Sequence, residues 1–111
     1  FWTVVDQLDQ AYVLNNDAAL VTPLVASLVD QAASMGLCDE ADRTRLGVAL
    51  EEALVNALYH GNLEVSSELR ESDYEAYYEL VNQRRNSPPF CDRRIRVQAR
   101  LDHEQATFVI R

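Results

Sequence analysis

The chain has 111 residues, of which 48% are hydrophobic, so it can form one domain with a core and is too short for two. Its formal net charge of −8 argues against nucleic acid as a partner, because the surface as a whole repels a phosphate backbone. All ten basic residues are arginine, which excludes the protein classes that need a P-loop lysine, a Schiff-base lysine or a kinase ATP lysine.

Membrane and metal signals are absent from the sequence. No run of about 18 apolar residues could span a bilayer, and the chain does not start with a signal-peptide pattern. Cys38 and Cys91 lack zinc-type spacing to each other or to His60 and His103. We therefore expect both cysteines to be reduced thiols, which are typical of the cytoplasm. Because the chain also has no initiating methionine, we predict a cytoplasmic domain excised from a longer protein, with no membrane segment.

The first half of the chain is predicted to hold one strand and two helices. Residues 1–9 read as the end of an upstream helix, and the segment AYVLNND after them as a short strand that closes on a turn. A helix then begins at Asp17 or Thr22 and ends at Met35. A second helix begins in the acidic run DEAD at 39–42, which favours the positive end of a helix dipole, and continues to Gly61.

The second half is predicted to hold a loop, a third helix and a β-hairpin. The polar segment NLEVSSELRES (62–72) reads as a loop, and DYEAYYELVNQRR (73–85) as a helix with arginines in its last turn. Strict alternation in RIRVQARL (94–101) indicates a half-exposed strand. The more apolar ATFVIR (106–111) follows four turn residues, so the two segments predict an antiparallel hairpin.

This order of elements predicts an α+β fold. Helices would cover one face of a mixed or mainly antiparallel sheet, which makes a two-layer sandwich. The chain also ends at Arg111, inside its most apolar strand. We therefore expect further sequence downstream.

A polar row on the second helix is the main candidate for chemistry. On a helical wheel, the predicted core face comprises Leu46, Leu50, Ala53, Leu54, Ala57 and Leu58. Glu52, Asn56 and His60 recur at four-residue spacing and share one narrow stripe. Apolar side chains border this stripe on both sides: Ala49, Ala53, Val48, Val55 and Tyr59.

Two interpretations of this row are open on spacing alone. The three side chains could form a structural seam and satisfy one another's hydrogen bonds. They could instead form the floor of a cleft, where a carboxylate and an amide oxygen one turn apart suit Mg²⁺ and a hydroxyl to be deprotonated. The second arrangement is what phosphoryl transfer requires.

The segment LEEALVNALYHGN (50–62) resembles the N-box of the GHKL superfamily, the ATP-binding fold of histidine kinases, gyrase-type topoisomerases and anti-sigma-factor serine kinases. Its form is closest to the anti-sigma branch. The resemblance implies that Asn56 coordinates the Mg²⁺ that bridges the ATP phosphates, and that Glu52 is the base toward the attacking nucleophile. His60 and Gly61 match positions near the phosphates.

The resemblance also implies a fold and a domain organisation. The fold would be the Bergerat type, with residues 1–9 as the tail of an upstream segment and residues 10–111 as the N-terminal part of the ATP-binding domain. Tyr59 stands where histidine kinases commonly carry a lysine, which argues against that branch. The DxGxG segment that reads adenine and the glycine-rich lid are absent, so the chain stops where the other half of the pocket should begin.

The resemblance therefore implies the Mg·ATP-binding domain of an anti-sigma-type serine/threonine protein kinase. Such a domain would transfer the γ-phosphoryl group to an anti-anti-sigma-like acceptor protein or a sigma factor, either as a monomer or as a homodimer. Three alternatives stay open. They are a non-catalytic histidine-kinase-like module that acts by protein binding, the ATP-binding domain of a two-component signalling protein, and an α+β domain whose polar row is structural.

Overall fold

The computed structural model describes residues 1–111 and shows an α+β fold with four α-helices and a three-stranded antiparallel sheet. The elements in chain order are β1 (Gln7–Leu14), α1 (Val21–Ser34), α2 (Glu40–Asn56), α3 (Ser67–Ser72), α4 (Tyr74–Arg85), β2 (Ile95–Asp102) and β3 (Ala106–Ile110). A π-helical turn, Ala57–Asn62, continues α2, and short 3₁₀ turns occupy Trp2–Val4, Ala18–Leu20 and Phe90–Asp92.

The sheet has the order β1-β2-β3, and its middle strand buries only one face. Along β2, buried and exposed residues alternate strictly, as expected for a strand with a core on one side and solvent on the other. The buried side chains of β2 belong to one core cluster with residues of α1, α2 and α4. The helices therefore form a second layer on that face, as the sequence predicted.

Each of the two long helices contributes a stripe of aliphatic side chains to this core. In α1 the fully buried residues are Leu28 and Ala32, one turn apart. In α2 and its π-turn they are Leu54 and Leu58. A reciprocal capping box between Asp39 and Asp42 fixes the start of α2, as its acidic residues predicted.

The hairpin between β2 and β3 is also confirmed, and a carboxylate holds its turn. The Asp102 side chain accepts hydrogen bonds from the backbone N–H groups of Glu104 at 2.7 Å and Gln105 at 2.8 Å. These bonds lower the pKa of the Asp102 carboxyl, because they favour its charged form. These bonds therefore stabilise the turn fully when the pH is above the ordinary carboxyl pKa. The stabilisation is lost as the pH falls through the lowered pKa.

The first strand is longer than the sequence predicted. β1 begins at Gln7, and only the single 3₁₀ turn at Trp2–Val4 stands in place of the predicted helix end at 1–9. The strand pairs with β2 along its whole length, from Gln7 opposite Asp102 to Leu14 opposite Ile95. The sequence hid this because a polar residue, Gln10, occupies a half-buried position and interrupts the apolar alternation.

The prediction of a loop over residues 62–72 was wrong in its second half, where α3 forms. The hydroxyl of Ser66 caps this helix by accepting a hydrogen bond from the Leu69 N–H at 3.2 Å. Only Leu69 is partly buried, so the helix leaves no apolar period in the sequence.

The burial pattern of α2 generates a stability prediction. Leu54→Ala should lower the free energy of unfolding by about 2–5 kcal/mol, because the side chain is 0% exposed and its removal leaves a cavity. Val48→Ala, on the same helix but 61% exposed, should cost less than about 0.5 kcal/mol. Urea denaturation of both variants measures the difference. Equal losses would show that the outer face of α2 is also packed.

Candidate functional site

The structure brings the four predicted site residues together on the exposed side of α2 and its π-turn. Glu52 and Asn56 lie one helical turn apart near the end of α2, and His60 and Gly61 follow in the π-turn. All four residues are exposed. The side chains of Glu52 and Asn56 make no hydrogen bond or ion pair with other groups of the chain, and the His60 ring bonds to a backbone carbonyl, so the three side chains do not satisfy one another's hydrogen bonds.

The helical wheel is wrong about the alanine border of this row, which it places partly in the core. Ala53, predicted to face the core, is exposed together with Ala49. On the other side Val48 is exposed, while Val55 and Tyr59 are partly buried. Leu50, Leu54 and Leu58 are the buried residues of this segment, and Leu46, Val55, Ala57 and Tyr59 pack partly against the core. The exposed face of α2 is therefore wider than the apolar pattern indicates.

The π-turn gives the last part of the row an unusual backbone. The N–H of Leu63 donates to the carbonyl of Leu58 at 3.0 Å, a bond that spans one residue more than in an α-helix. The N–H of Val65 donates to the carbonyl of Tyr59 at 2.8 Å, and Nδ1 of His60 is hydrogen-bonded to the Val65 carbonyl. Single π-turns of this kind are frequent at functional sites.

Gly61 is not required by the backbone that it occupies. A Cβ atom built at this position would meet only the carbonyl oxygen of Asn56, at 3.7 Å, which is ordinary van der Waals contact. Gly36, which ends α1 with a φ of +80°, differs in this respect, because it adopts a conformation that favours glycine. Packing and backbone conformation therefore give no reason for a glycine at position 61.

An arginine clamp, formed by Arg84, Phe90 and Arg93, holds the chain directly after the π-turn. Arg84 donates to the carbonyls of Leu63 at 2.8 Å and Glu64 at 2.6 Å. Arg93 donates to the carbonyl of Asn62 at 2.9 Å and to the Glu64 carboxylate at 2.7 Å. Both guanidinium groups lie over the Phe90 ring, 4.8 and 5.0 Å from its centre.

These contacts hold Glu64 at a φ of +52°, in the left-handed region that non-glycine residues seldom adopt. Sequence reasoning did not find the clamp. The only sequence signal is the pair of arginines at the end of α4, a pattern that the helix dipole explains equally well.

A shallow open hollow of about 450 Å³ adjoins the row at His60. Its lining is polar and comprises His60, Glu64, Val65, Ser66, Ser67 and Glu68. None of the five surface hollows is lined by Glu52, Asn56 or Gly61. Within these 111 residues the row therefore lies on an open surface and not at the bottom of a cleft.

The donor set limits what kind of metal the row could take. No group of three or more histidine, cysteine, aspartate or glutamate side chains is arranged to hold a metal ion. Glu52 and Asn56 supply two free oxygen-bearing side chains. This is too few for a resident all-protein site, but it suits Mg²⁺, which keeps several waters and is commonly shared with substrate phosphates.

Comparisons of the chain with protein-family models, with curated proteins and with solved structures found no match. The resemblance of residues 50–62 to the N-box therefore rests on the residues themselves. None of the helices has both the length and the apolar character that crossing a bilayer requires.

Because the row is exposed, we predict that substitutions in it affect the free energy of unfolding less than the substitution of a buried structural polar residue. Glu52→Ala and Asn56→Ala should each change the free energy of unfolding by less than about 0.5 kcal/mol, because neither side chain has an intramolecular partner. Asn16→Ala is the matched control. Asn16 is 6% exposed, donates to the Phe90 carbonyl at 2.7 Å and accepts from the Asn62 side chain at 2.8 Å.

The control should lose about 1–3 kcal/mol, since the change strands two partly buried partners. Chemical denaturation with all three variants measures the difference. A loss of that size for Glu52→Ala or Asn56→Ala would mean that the row is structural.

Proposed function

We propose that the chain is the Mg·ATP-binding part of an anti-sigma-type serine/threonine protein kinase of the GHKL superfamily. Its phosphoacceptor would be a partner protein, either an anti-anti-sigma-like acceptor or a sigma factor. The observation that carries this proposal is the pair of unpartnered oxygen-bearing side chains, Glu52 and Asn56, directly before a π-turn that exposes His60 and Gly61.

The roles of the four residues follow from their chemistry. When bound, Mg·ATP supplies the phosphoryl group to be transferred. The amide oxygen of Asn56 would be the protein ligand for the metal, and the backbone at Gly61, which has no side chain, would leave room for a phosphate to approach. Glu52 is free to accept the proton of the attacking hydroxyl, because no basic side chain of the chain is paired with it.

The fold is compatible with this proposal. A helix that carries the N-box and lies in a layer against an antiparallel sheet is what the Bergerat-type resemblance implies.

The second candidate is a non-catalytic module of the same fold that acts by protein binding. The absence of an enclosing hollow at Glu52 and Asn56 favours it, since phosphoryl transfer needs a water-poor site. In that case nucleotide contacts could remain while Glu52 has no chemical role.

The first prediction concerns nucleotide binding. Titration of ¹⁵N-labelled protein with Mg·ATP should shift amide resonances within residues 52–61, with a dissociation constant of about 1 mM or weaker, because the row has no enclosing walls. Asn56→Ala should remove the part of the response that depends on Mg²⁺. Asn82→Ala, which alters an exposed asparagine on α4, should leave it intact.

Gly61→Ala should fold normally and weaken the binding of the phosphates. Shifts confined to residues outside this segment, or no response to Mg·ATP, would show that the nucleotide site has been misplaced.

The second prediction concerns catalysis. With γ-labelled ATP and proteins extracted from the source cell, label should appear on serine or threonine of an acceptor. Glu52→Gln keeps the shape of the side chain but removes the base, so labelling should fall by roughly 10²-fold or more while the Mg·ATP-induced shifts persist. Glu51→Gln, the neighbouring exposed carboxylate, is the control and should retain activity.

Unchanged labelling by Glu52→Gln would remove its role as base. Nucleotide binding without any labelling would favour the non-catalytic module. Label on a histidine of the protein itself would favour the two-component alternative.

A further inference from the structure

The face of the sheet opposite the helices is uncovered and carries an arginine pair. Arg96 of β2 lies directly opposite Arg111, and the two residues exchange both backbone hydrogen bonds, at 3.0 and 2.9 Å. Directly opposed residues of an antiparallel pair project their side chains from the same face. Both arginines are exposed, and β1 places Val13, which is 59% exposed, on the other side of Arg96.

The arginine pair has no compensating carboxylate. Like charges directly opposite each other on a sheet are destabilising, and neither Arg96 nor Arg111 takes part in an ion pair within the chain. Two rows further along the same face, Arg100 is paired with Asp9 at 3.2 Å. The chain therefore neutralises one arginine of this face and leaves the adjacent pair open, although the protein carries 18 acidic residues.

The row between these charged rows is recessed and has an apolar residue on each side of a glutamine. Ala11 and Val109 flank Gln98 there, and a hollow of about 190 Å³ lies between them and the arginine pair. A second hollow, of about 210 Å³, lies on the other side of Gln98, next to Arg100. The face thus offers an apolar recess beside two unpaired guanidinium groups.

We propose that this face, defined by Val13, Arg96, Val109 and Arg111, docks an acidic segment of a partner protein. The segment would place a carboxylate between Arg96 and Arg111 and an apolar side chain in the adjacent recess. Guanidinium groups suit this task, because their planar donors match a carboxylate in bidentate geometry. Charge complementarity makes the partner acidic at the contact, and the recess requires an apolar residue two positions away along an extended segment.

A second copy of the chain does not fit this face. A symmetric dimer presents the same patch on both subunits, so face-to-face packing would set the arginine pair of one copy against that of the other. The occupant is therefore a different protein. This contact lies on the opposite side of the sheet from the helix layer that carries Glu52 and Asn56, so it does not depend on the proposed function.

The test uses a fluorescein-labelled Glu-Ser-Leu-Ser-Glu peptide as the probe, with Gln-Ser-Leu-Ser-Gln as its uncharged counterpart. Fluorescence anisotropy should show binding of the acidic peptide and at least about tenfold weaker binding of the uncharged one. The double variant Arg96→Gln/Arg111→Gln should lose affinity by about tenfold or more. The control Arg45→Gln/Arg70→Gln, which removes the same charge from exposed helix positions, should change it by less than about twofold.

Loss of folding cannot explain the expected result, because removal of the like-charge pair should leave the melting temperature equal to or above that of the wild type. Glu52→Gln and Asn56→Ala should bind the peptide normally, which separates this proposal from nucleotide binding. No binding by the wild type, equal losses in both double variants, or equal binding of the two peptides would overturn it. So would a dimer that Arg96→Gln/Arg111→Gln abolishes in sedimentation, or arginine-dependent binding to phosphatidylserine vesicles that the acidic peptide does not compete.

Discussion

The alternation of β2 is the constraint on which the rest of the structure depends. Ile95, Val97, Ala99 and Leu101 are all at most 1% exposed, while the residues between them face solvent. Because the side-chain period of a strand is two, a slip of one residue would place arginines in the core, so the register is strongly specified. β2 also pairs with both other strands, which fixes the order of the sheet. Two layers and one uncovered face follow from this single pattern, and the uncovered face is where the proposed partner docks.

Like β2, helix α2 has one side that is buried in the core and one side that faces solvent. Its buried stripe is narrow, and the opposite face carries Glu52 and Asn56 without partners in the chain. Groups on such a face cost little stability, because they remain hydrated in the absence of a ligand. The stability of this domain and the chemistry proposed for it therefore depend on different sides of the same helix.

Local periodicity explains which parts of the fold were predictable from sequence. α1, α4 and the hairpin carry clear periods of 3.6 or 2 and lie where the sequence places them. The start of β1 and the whole of α3 were missed, because Gln10 breaks one pattern and α3 has a single apolar residue. The α2 wheel placed Glu52, Asn56 and His60 on one stripe but could not decide whether that stripe faces solvent. Alanines such as Ala53 are compatible with either environment, so only the packing of α1 and the sheet against α2 decides it.

The clamp was unpredictable for a different reason, since it joins residues 20 or more apart in sequence. It also gives α4 a role. Tyr77 of α4 packs with Tyr59 of the π-turn, with ring centres 6.0 Å apart, and burial raises the pKa of the Tyr77 hydroxyl. Arg84, at the other end of the same helix, holds the carbonyls that follow the π-turn. The helix thus supports the π-turn at two points, and the backbone of His60 and Gly61 is set by a helix that lies outside the segment resembling the N-box. The first of these supports depends on the Tyr59 ring of the turn itself, whereas the second uses backbone carbonyls as acceptors and depends on where α4 places Arg84.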